Sequence, residues 1–335
     1  MSIPFVHLDD PRYGEVVQVS PLVQRVIAKN PSKFSYLGTG TYVVGDHDVA
    51  VIDPGPRLDS HRDALERALR GRTVSAIVVT HCHGDHSPLS AWLKEFTGAP
   101  TVAFGPHVID PDWHEEDDCD LFAGLDDGAD DAGATTDTDT DTDSDSDSDE
   151  VHLEEPLDLA FTPDIRVGDG ELAAEGPGWS LRAVHTPGHT SNHLALALDE
   201  EHTLFSGDHV MGWSTSVIAP PDGDMRAYFA SLQKVIDRRD AVLRPTHGAP
   251  VTDPQPFLAA FMAHRLEREA QVLAAVRAGT DRIPVMVRRL YAAVDRRLHR
   301  AAARSVLSHL VKLVDDGVVV TDAPRPGLRS SYRPA

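Results

Sequence analysis

Cysteine is nearly absent from this chain of 335 residues: there are two, Cys82 and Cys119. Two thiols are too few for a disulfide framework, so stability has to come from a buried core. Long apolar runs are missing too. No stretch reads as a membrane span, and the opening residues Met1-Ser2-Ile3-Pro4-Phe5 hold neither a basic region nor an apolar run. The expectation is a soluble, cytoplasmic protein that contacts no membrane. There is no Gly-rich phosphate loop and no G-x-S-x-G elbow. Those absences set aside P-loop and serine-elbow chemistry.

Positive charge is missing from one region. Between Asp110 and Asp158 there is no Lys or Arg, but there are 22 acidic residues. The net charge of -22 is therefore local, because the rest of the chain carries 31 acids against 31 bases. Thr135 to Asp149 is almost pure Asp, Thr and Ser. Such a segment cannot bury enough apolar surface to offset its ordering entropy. Residues 110–156 are thus expected to be a disordered, solubilising insertion on a surface loop. The last eighty residues, Pro256 to Ala335, hold 14 bases against 7 acids. The acidic total therefore does not exclude an anionic partner.

What is present centres on Thr80-His81-Cys82-His83-Gly84-Asp85-His86. It follows the β-branched run Val74 to Val79, so it sits just past a buried strand. Four metal-ligating side chains fall within six residues. On a helix His81 and His83 would face different ways, whereas a loop can turn both to one point. Cys82 points away from them as a small filler. Ser87-Pro88 reads as the N-cap and first position of a helix carrying Leu89, Trp92, Leu93 and Phe96.

The same device recurs along the chain. An apolar strand ends, the backbone turns on Gly or Pro, and a His or Asp is presented. It happens at Asp53 after Val49-Ala50-Val51-Ile52, and at His189 in Thr186-Pro187-Gly188-His189-Thr190. It happens again at Asp208 after Thr203 to Phe205, and at His247 after Ala241 to Leu243. Strand ends on one edge of a packed scaffold are where rigid multi-residue sites form. Further strands are expected at 15–26, 36–44, 48–53, 101–104, 161–167, 179–184 and 193–198, and a helix capped by Asp224 carries Tyr228 and Leu232. Past Asp253-Pro254 the pattern turns helical. Three helices and a terminal hairpin suggest a winged-helix-like subdomain, with a plain helical cap as the alternative.

His and carboxylate ligands without thiolate suit zinc or a similar divalent ion, with manganese and iron left open. Five His and two Asp are too many for one tetrahedral ion but suit two. Two metals about 3.5–4 Å apart can activate a water between them, so no Ser or Cys nucleophile is needed.

With these residues together, the chain resembles the metallo-β-lactamase superfamily, whose five motifs appear as Asp53, the His81/His83/Asp85/His86 loop, His189, Asp208 and His247. The resemblance covers about residues 15–255 without the insertion. It implies an αββα sandwich of two mixed sheets over residues 1–255, followed by a winged-helix-like domain at 256–335. It further implies two Zn2+ per chain. The first would be held by His81, His83 and His189, and the second by Asp85, His86 and His247. Asp208 would bridge them, Asp53 would support them, and Asp85 and Asp208 would be catalytic. A narrower similarity, to the lactamase-β-like-2 group, lies in residues 186–193 and 205–212, in Met225, Tyr228, Ser231 and Leu232, and in the helix containing His264 to Glu269.

That group implies zinc-dependent endoribonuclease activity. The first functional expectation is therefore cleavage of single-stranded RNA by a hydroxide bridging two zinc ions, in line with the basic C-terminal end. The alternative is a thioester, lactone or other small-ester hydrolase of the glyoxalase II type. A third reading, metals used only structurally in a binding protein, sits poorly with a complete ligand set. Outside that set, His209 is expected to hydrogen-bond in support of the site or to touch substrate, and His193 to be a packed strand residue beside it. The pattern fixes neither substrate nor oligomeric state.

Overall fold

The computed structural model describes residues 2–108, 120–122 and 156–335. Strands β1 (Val17–Ser20), β2 (Val23–Ile27), β3 (Gly40–Gly45) and β4 (Asp48–Ile52) form an antiparallel meander. Helix α1 (Asp59–Ala68) then crosses to β5 (Thr73–Val78), which runs parallel to β4. After α2 (Ser90–Thr97), β6 (Thr101–Ala103) and β7 (Ile165–Arg166) extend the sheet in parallel. The second sheet begins with β8 (Leu172–Gly176), β9 (Trp179–His185), β10 (Leu194–Leu198) and β11 (Thr203–Gly207), all antiparallel. Helix α3 (Met225–Arg238) leads to β12 (Val242–Pro245), parallel to β11. Both sheets are therefore mixed, with orders β1-β2-β3-β4-β5-β6-β7 and β12-β11-β10-β9-β8.

The strand patterns follow from the layers. Val49-Ala50-Val51-Ile52 and Leu194-Ala195-Leu196-Ala197-Leu198 are buried on both faces, hence continuously apolar. One face of each, through Ala50, Ile52, Leu194, Leu196 and Leu198, meets Trp179, Leu181 and Phe205 between the sheets. The opposite face of β10 meets Tyr228, Leu232, Phe257 and Phe261 of the outer helices. Val43, Val49, Val51 and Ile77 face Leu93, and Val26 faces Leu65. The result is helix, sheet, sheet, helix, as the motifs implied.

Helix α4 (Pro254–Arg277) joins two cores. Its Phe257, Leu258 and Phe261 pack in the sandwich, and its Val272, Ala275 and Val276 pack with α5 (Ile283–Leu290) and α6 (His299–Asp315). A hairpin of β13 (Val319–Thr321) and β14 (Tyr332–Pro334) completes a C-terminal winged helix. Among the described residues no helix is long and apolar enough to cross a membrane.

Several expectations need correction. Helix α2 starts at Ser90 with Leu89 at the cap position, not at Ser87. The Ser87 hydroxyl instead donates to Asp158 Oδ2 at 2.7 Å, so the capping side chain is diverted to a tertiary contact. Strand 161–167 shrinks to Ile165–Arg166. Strand β8, Leu172-Ala173-Ala174-Glu175-Gly176, has no β-branched residue and was not legible as a strand; register with β9 creates it. The disordered insertion does not hold at 120–122. There Leu121 is buried in the C-terminal core, Phe122 lies 5.9 Å from the His299 ring, and Asp120 pairs with Arg329. Residues 110–119 and 123–155 of that segment, Cys119 included, lie outside the described residues.

Leu196, fully buried between the sheets, should be costly to truncate. Leu196→Ala is expected to destabilise the fold by about 2–5 kcal/mol, measured as a lowered urea midpoint at unchanged slope.

Candidate metal centre

Strands β4, β5, β11 and β12 end on the same edge of the sandwich, because each neighbouring pair is parallel. That edge receives Asp53, the His81–His86 loop, Asp208 and His247. The loop between β9 and β10 adds His189. A bulge between Phe205 and Gly207 turns the end of β11. Gly207 has φ +53, and a Cβ there would stand 2.5 Å from His193 Nε2, so only glycine brings Asp208 into place.

The side chains converge in two groups. His81 Nε2 and His189 Nε2 lie 3.0 and 3.2 Å from His83 Nδ1. His247 Nε2 is 3.2 Å from Asp85 Oδ2, and His86 Nε2 is 3.4 Å from Asp85 Oδ1. Asp208 Oδ2 sits between the groups, 3.4 Å from His247, 3.7 Å from His86 and 4.0 Å from His189. All seven residues expected to ligate metal are thus brought to one point, in three overlapping groups that can each hold an ion.

The chemistry of this donor set fits divalent cations. Asp85 Oδ1, Asp208 Oδ1 and His86 Nε2 are buried without a hydrogen-bond partner. Such orphans are costly unless an ion satisfies them. Burial and the neighbouring His86 push the His81 imidazole well below its ordinary range. Burial likewise lowers His83 and His189, leaving the neutral form that ligates metal. His86 and His247 go the other way. Burial opposes their charge, but Asp85 and Asp208 outweigh it, raising His86 well above normal and His247 to about 10. The two carboxylates are held low against burial, Asp85 chiefly by His86 and Asp208 chiefly by His247.

Four of the five candidate ligand rings are aimed by their other nitrogen. His189 Nδ1 donates to Val217 O at 2.6 Å, and His247 Nδ1 to Gly38 O at 3.2 Å. His81 Nδ1 meets Thr80 Oγ1 at 3.0 Å. Asp53 Oδ2 accepts His86 Nδ1 at 3.0 Å and Thr246 Oγ1 at 3.1 Å; both Asp53 oxygens also accept from Thr80. Asp53 is held at φ 50, a left-handed position unusual for aspartate. Asp53 therefore supports the ligands without joining them. Thr39, which donates to Asp85 Oδ2 at 2.8 Å, and the carbonyls of Gly38 and Val217 were not foreseen. A threonine carries no spacing signal, and a carbonyl carries none at all.

Of the neighbouring histidines, His193 is buried beside the site as expected. Its Nε2 accepts the Asp208 N–H at 3.2 Å. His209 differs from expectation. Neither ring nitrogen has a partner, and the ring packs 4.7 Å from Tyr228, because the turn after Asp208 points it into the core. Cys82 is buried with Asn192 Nδ2 at 3.1 Å from its sulfur, and burial pushes its thiol up to about 11.

The mouth above the ligands is lined by Lys33, Phe34, Met211, Trp213 and Val217, with Ser214 and Thr215. Trp213 stacks on Tyr36 at 4.7 Å. Against known proteins, the match described as "Metallo-beta-lactamase superfamily" spans residues 37–247. The chain belongs to that superfamily. A second match, "Beta-lactamase associated winged helix domain", spans residues 283–325. Among curated relatives, the "Beta-lactamase-like protein 2 homolog" of Drosophila melanogaster is 30% identical over 312 residues, covering 90% of this chain and 91% of that protein. The "Atrochrysone carboxyl ACP thioesterase AgnL7" of Paecilomyces divaricatus is 29% identical, over 81% of this chain and 69% of that protein. A solved beta-lactamase domain protein from Burkholderia ambifaria aligns with TM-score 0.70 at 22% identity, covering 97% of this chain and 95% of that one. It shares the fold.

Two measurements bear on this superfamily site. Replacing the central carboxylate, Asp208→Ala, is expected to lower affinity for added Zn2+ at least about 10-fold, read by chelator competition. The second concerns His61, beneath the Asp53 turn, whose Nε2 lies 2.9 Å from the Thr41 hydroxyl that donates to Asp53 O at 2.6 Å. Burial lowers His61 to about 4, against about 6.5 in an unfolded chain. The unfolded chain therefore takes the proton first. The stability from keeping this ring neutral is complete above about pH 6.5 and disappears as pH falls through about 4. Its ceiling is about 3 kcal/mol, and His61→Gln should flatten that part of the stability profile.

Proposed function

We propose that this chain is a zinc-dependent hydrolase of thioesters, with the acyl group seated in the mouth over the metal centre. The lining of that mouth carries the reading. Phe34, Met211, Trp213 and Val217 wall it, and Lys33 is the one cation among its described lining residues. An apolar wall with a single positive charge suits an acyl chain better than a polyanion. The leaving group agrees. A thiol has an ordinary pKa of about 8.5 and departs as a thiolate without an acid, whereas a ribose oxygen needs a proton.

Bound at His81, His83 and His189 and at Asp85, His86 and His247, with Asp208 shared, two zinc ions would supply Lewis-acid polarisation and lower the pKa of the attacking water. The chain supplies the rest. Asp208 Oδ1 has no protein partner and would serve the bound ion or accept a hydrogen bond from the attacking water. Phe34 and Trp213 exclude bulk solvent, and Lys33 balances negative charge at the rim. Water adds to the acyl carbon, the C–S bond breaks, and a carboxylic acid and a thiol leave. Relatives named as atrochrysone carboxyl ACP thioesterases, such as AgnL7, support this choice.

The RNA reading keeps two observations in its favour: the 14 bases against 7 acids from Pro256 to Ala335 on a winged helix, and the 30% identity to the Drosophila "Beta-lactamase-like protein 2 homolog", whose group the motifs resemble. Both substrates belong in one experiment. Zinc-loaded protein is mixed with acyl-CoA thioesters, following thiol release, and in parallel with end-labelled single-stranded RNA. The expected outcome is saturable thiol release that drops at least about 100-fold in Asp208→Ala, with RNA left intact. Asp208-dependent RNA cutting without thioester turnover would reverse the assignment.

A further inference from the structure

Arg265 lies on α4, outside both matched segments, residues 37–247 and 283–325. It is an arginine with 4% exposure in the core beneath the metal edge. Burial of a guanidinium is expensive without a specific task. Its Nη2 donates to Ser216 O, and its plane lies 5.2 Å from the Tyr228 ring. Tyr228 OH in turn donates to His209 O at 2.8 Å, and Ser216 Oγ donates to the same carbonyl at 2.8 Å. The segment from Asp208 to Val217 is thereby tied at both ends to the outer helices. The next carbonyl after Ser216, that of Val217, is the one that accepts His189 Nδ1 at 2.6 Å.

We propose that Arg265 is a positioning residue for the metal centre. By holding the Ser216 carbonyl it fixes the adjacent Val217 carbonyl, and so the ring orientation of His189. The backbone of His189 is already secured from α3. Asp224 N donates to Gly188 O at 2.9 Å, Ser231 Oγ donates to Pro187 O at 2.8 Å, and a Cβ on Gly188 would stand 2.5 Å from Tyr228 Cα. With the main chain fixed by α3, the remaining freedom is rotation of the ring. The Arg265 chain of contacts removes it. The helix that leads out of the sandwich toward the winged helix thus supports the metal site from behind, acting through His189, which groups with His81 and His83 and not with Asp85 and His247.

The test is metal binding by the full chain, with no substrate required. Zn2+ affinity is measured by chelator competition, and Co2+ absorption reports ligand geometry. In Arg265→Met, affinity for the equivalent held by His81, His83 and His189 should fall about 10-fold or more. The other equivalent should stay within about 2-fold, and the Co2+ spectrum should change. Arg268→Met is the control. It removes another arginine of α4, one that stacks 4.2 Å from Tyr291 and donates to Leu290 O, and it should leave both equivalents unchanged. Arg265→Lys, which keeps the charge, covers the case in which Arg265→Met does not fold, and should show the same selective loss. In a double-mutant cycle, adding Arg265→Met to His189→Ala should cost nothing further. Equal loss in Arg268→Met, equal loss of both equivalents, unchanged binding, or additivity with His189→Ala would each overturn the proposal.

Discussion

Asp53 holds the edge of the sandwich together. Its two oxygens accept from the Thr80 amide and hydroxyl, from His86 Nδ1 and from Thr246 Oγ1. Those partners come from the end of β5, from the histidine loop and from the end of β12, so one buried carboxylate bonds elements of both sheets. Charge-assisted hydrogen bonds of this kind are roughly twice as strong as neutral ones. They offset the left-handed backbone at Asp53 and the desolvation of its charge. Without that link, the ends of β5 and β12 lose their common partner, and the metal ligands lose their register.

The rest of the centre elaborates the same economy of contacts. Each ligand imidazole has one nitrogen turned to the cluster and, in His81, His86, His189 and His247, the other held by an oxygen. The holders come from different layers: a strand-end threonine, a buried acid and two loop carbonyls. The loop that carries Val217 is the least regular of these elements, and it also walls the mouth through Met211 and Trp213. Ligand orientation and substrate access therefore depend on one segment, and that segment is secured from α3 and α4. This explains why the two outer helices matter to a site they do not line.

The distribution of charge has a related reading. The centre concentrates Asp53, Asp85 and Asp208 in a small volume, balanced by imidazoles. Away from it, charges pair across the outer helices: Lys312 of α6 meets Glu269 of α4 and Asp316, and Arg226 of α3 meets the same Asp316. These pairs hold α3, α4 and α6 together, and because both acids lie in the same segment as Lys312 they leave its net surplus of bases unchanged.

Local sequence was enough to pick out side chains that gather at one edge and strands buried on both faces, while the layer order followed from the resemblance those residues carry. Ligands cluster in His81-x-His83-x-Asp85-His86, and strands buried on both faces must be continuously apolar, so both leave a pattern within a few residues. The Asp224 cap was legible for the same reason, and its Oδ1 accepts the Ala227 N–H at 2.8 Å. Other features had no such local trace. Ser87 was equally suited to cap a helix or to bond Asp158, 71 residues away. His209 looked like a participant until the turn after Asp208 faced it inward. Arg265 resembled any helical arginine. In these cases the side chain's partner is set by distant segments, through backbone carbonyls and burial that no spacing encodes, and only the packed tertiary structure decides which contact wins.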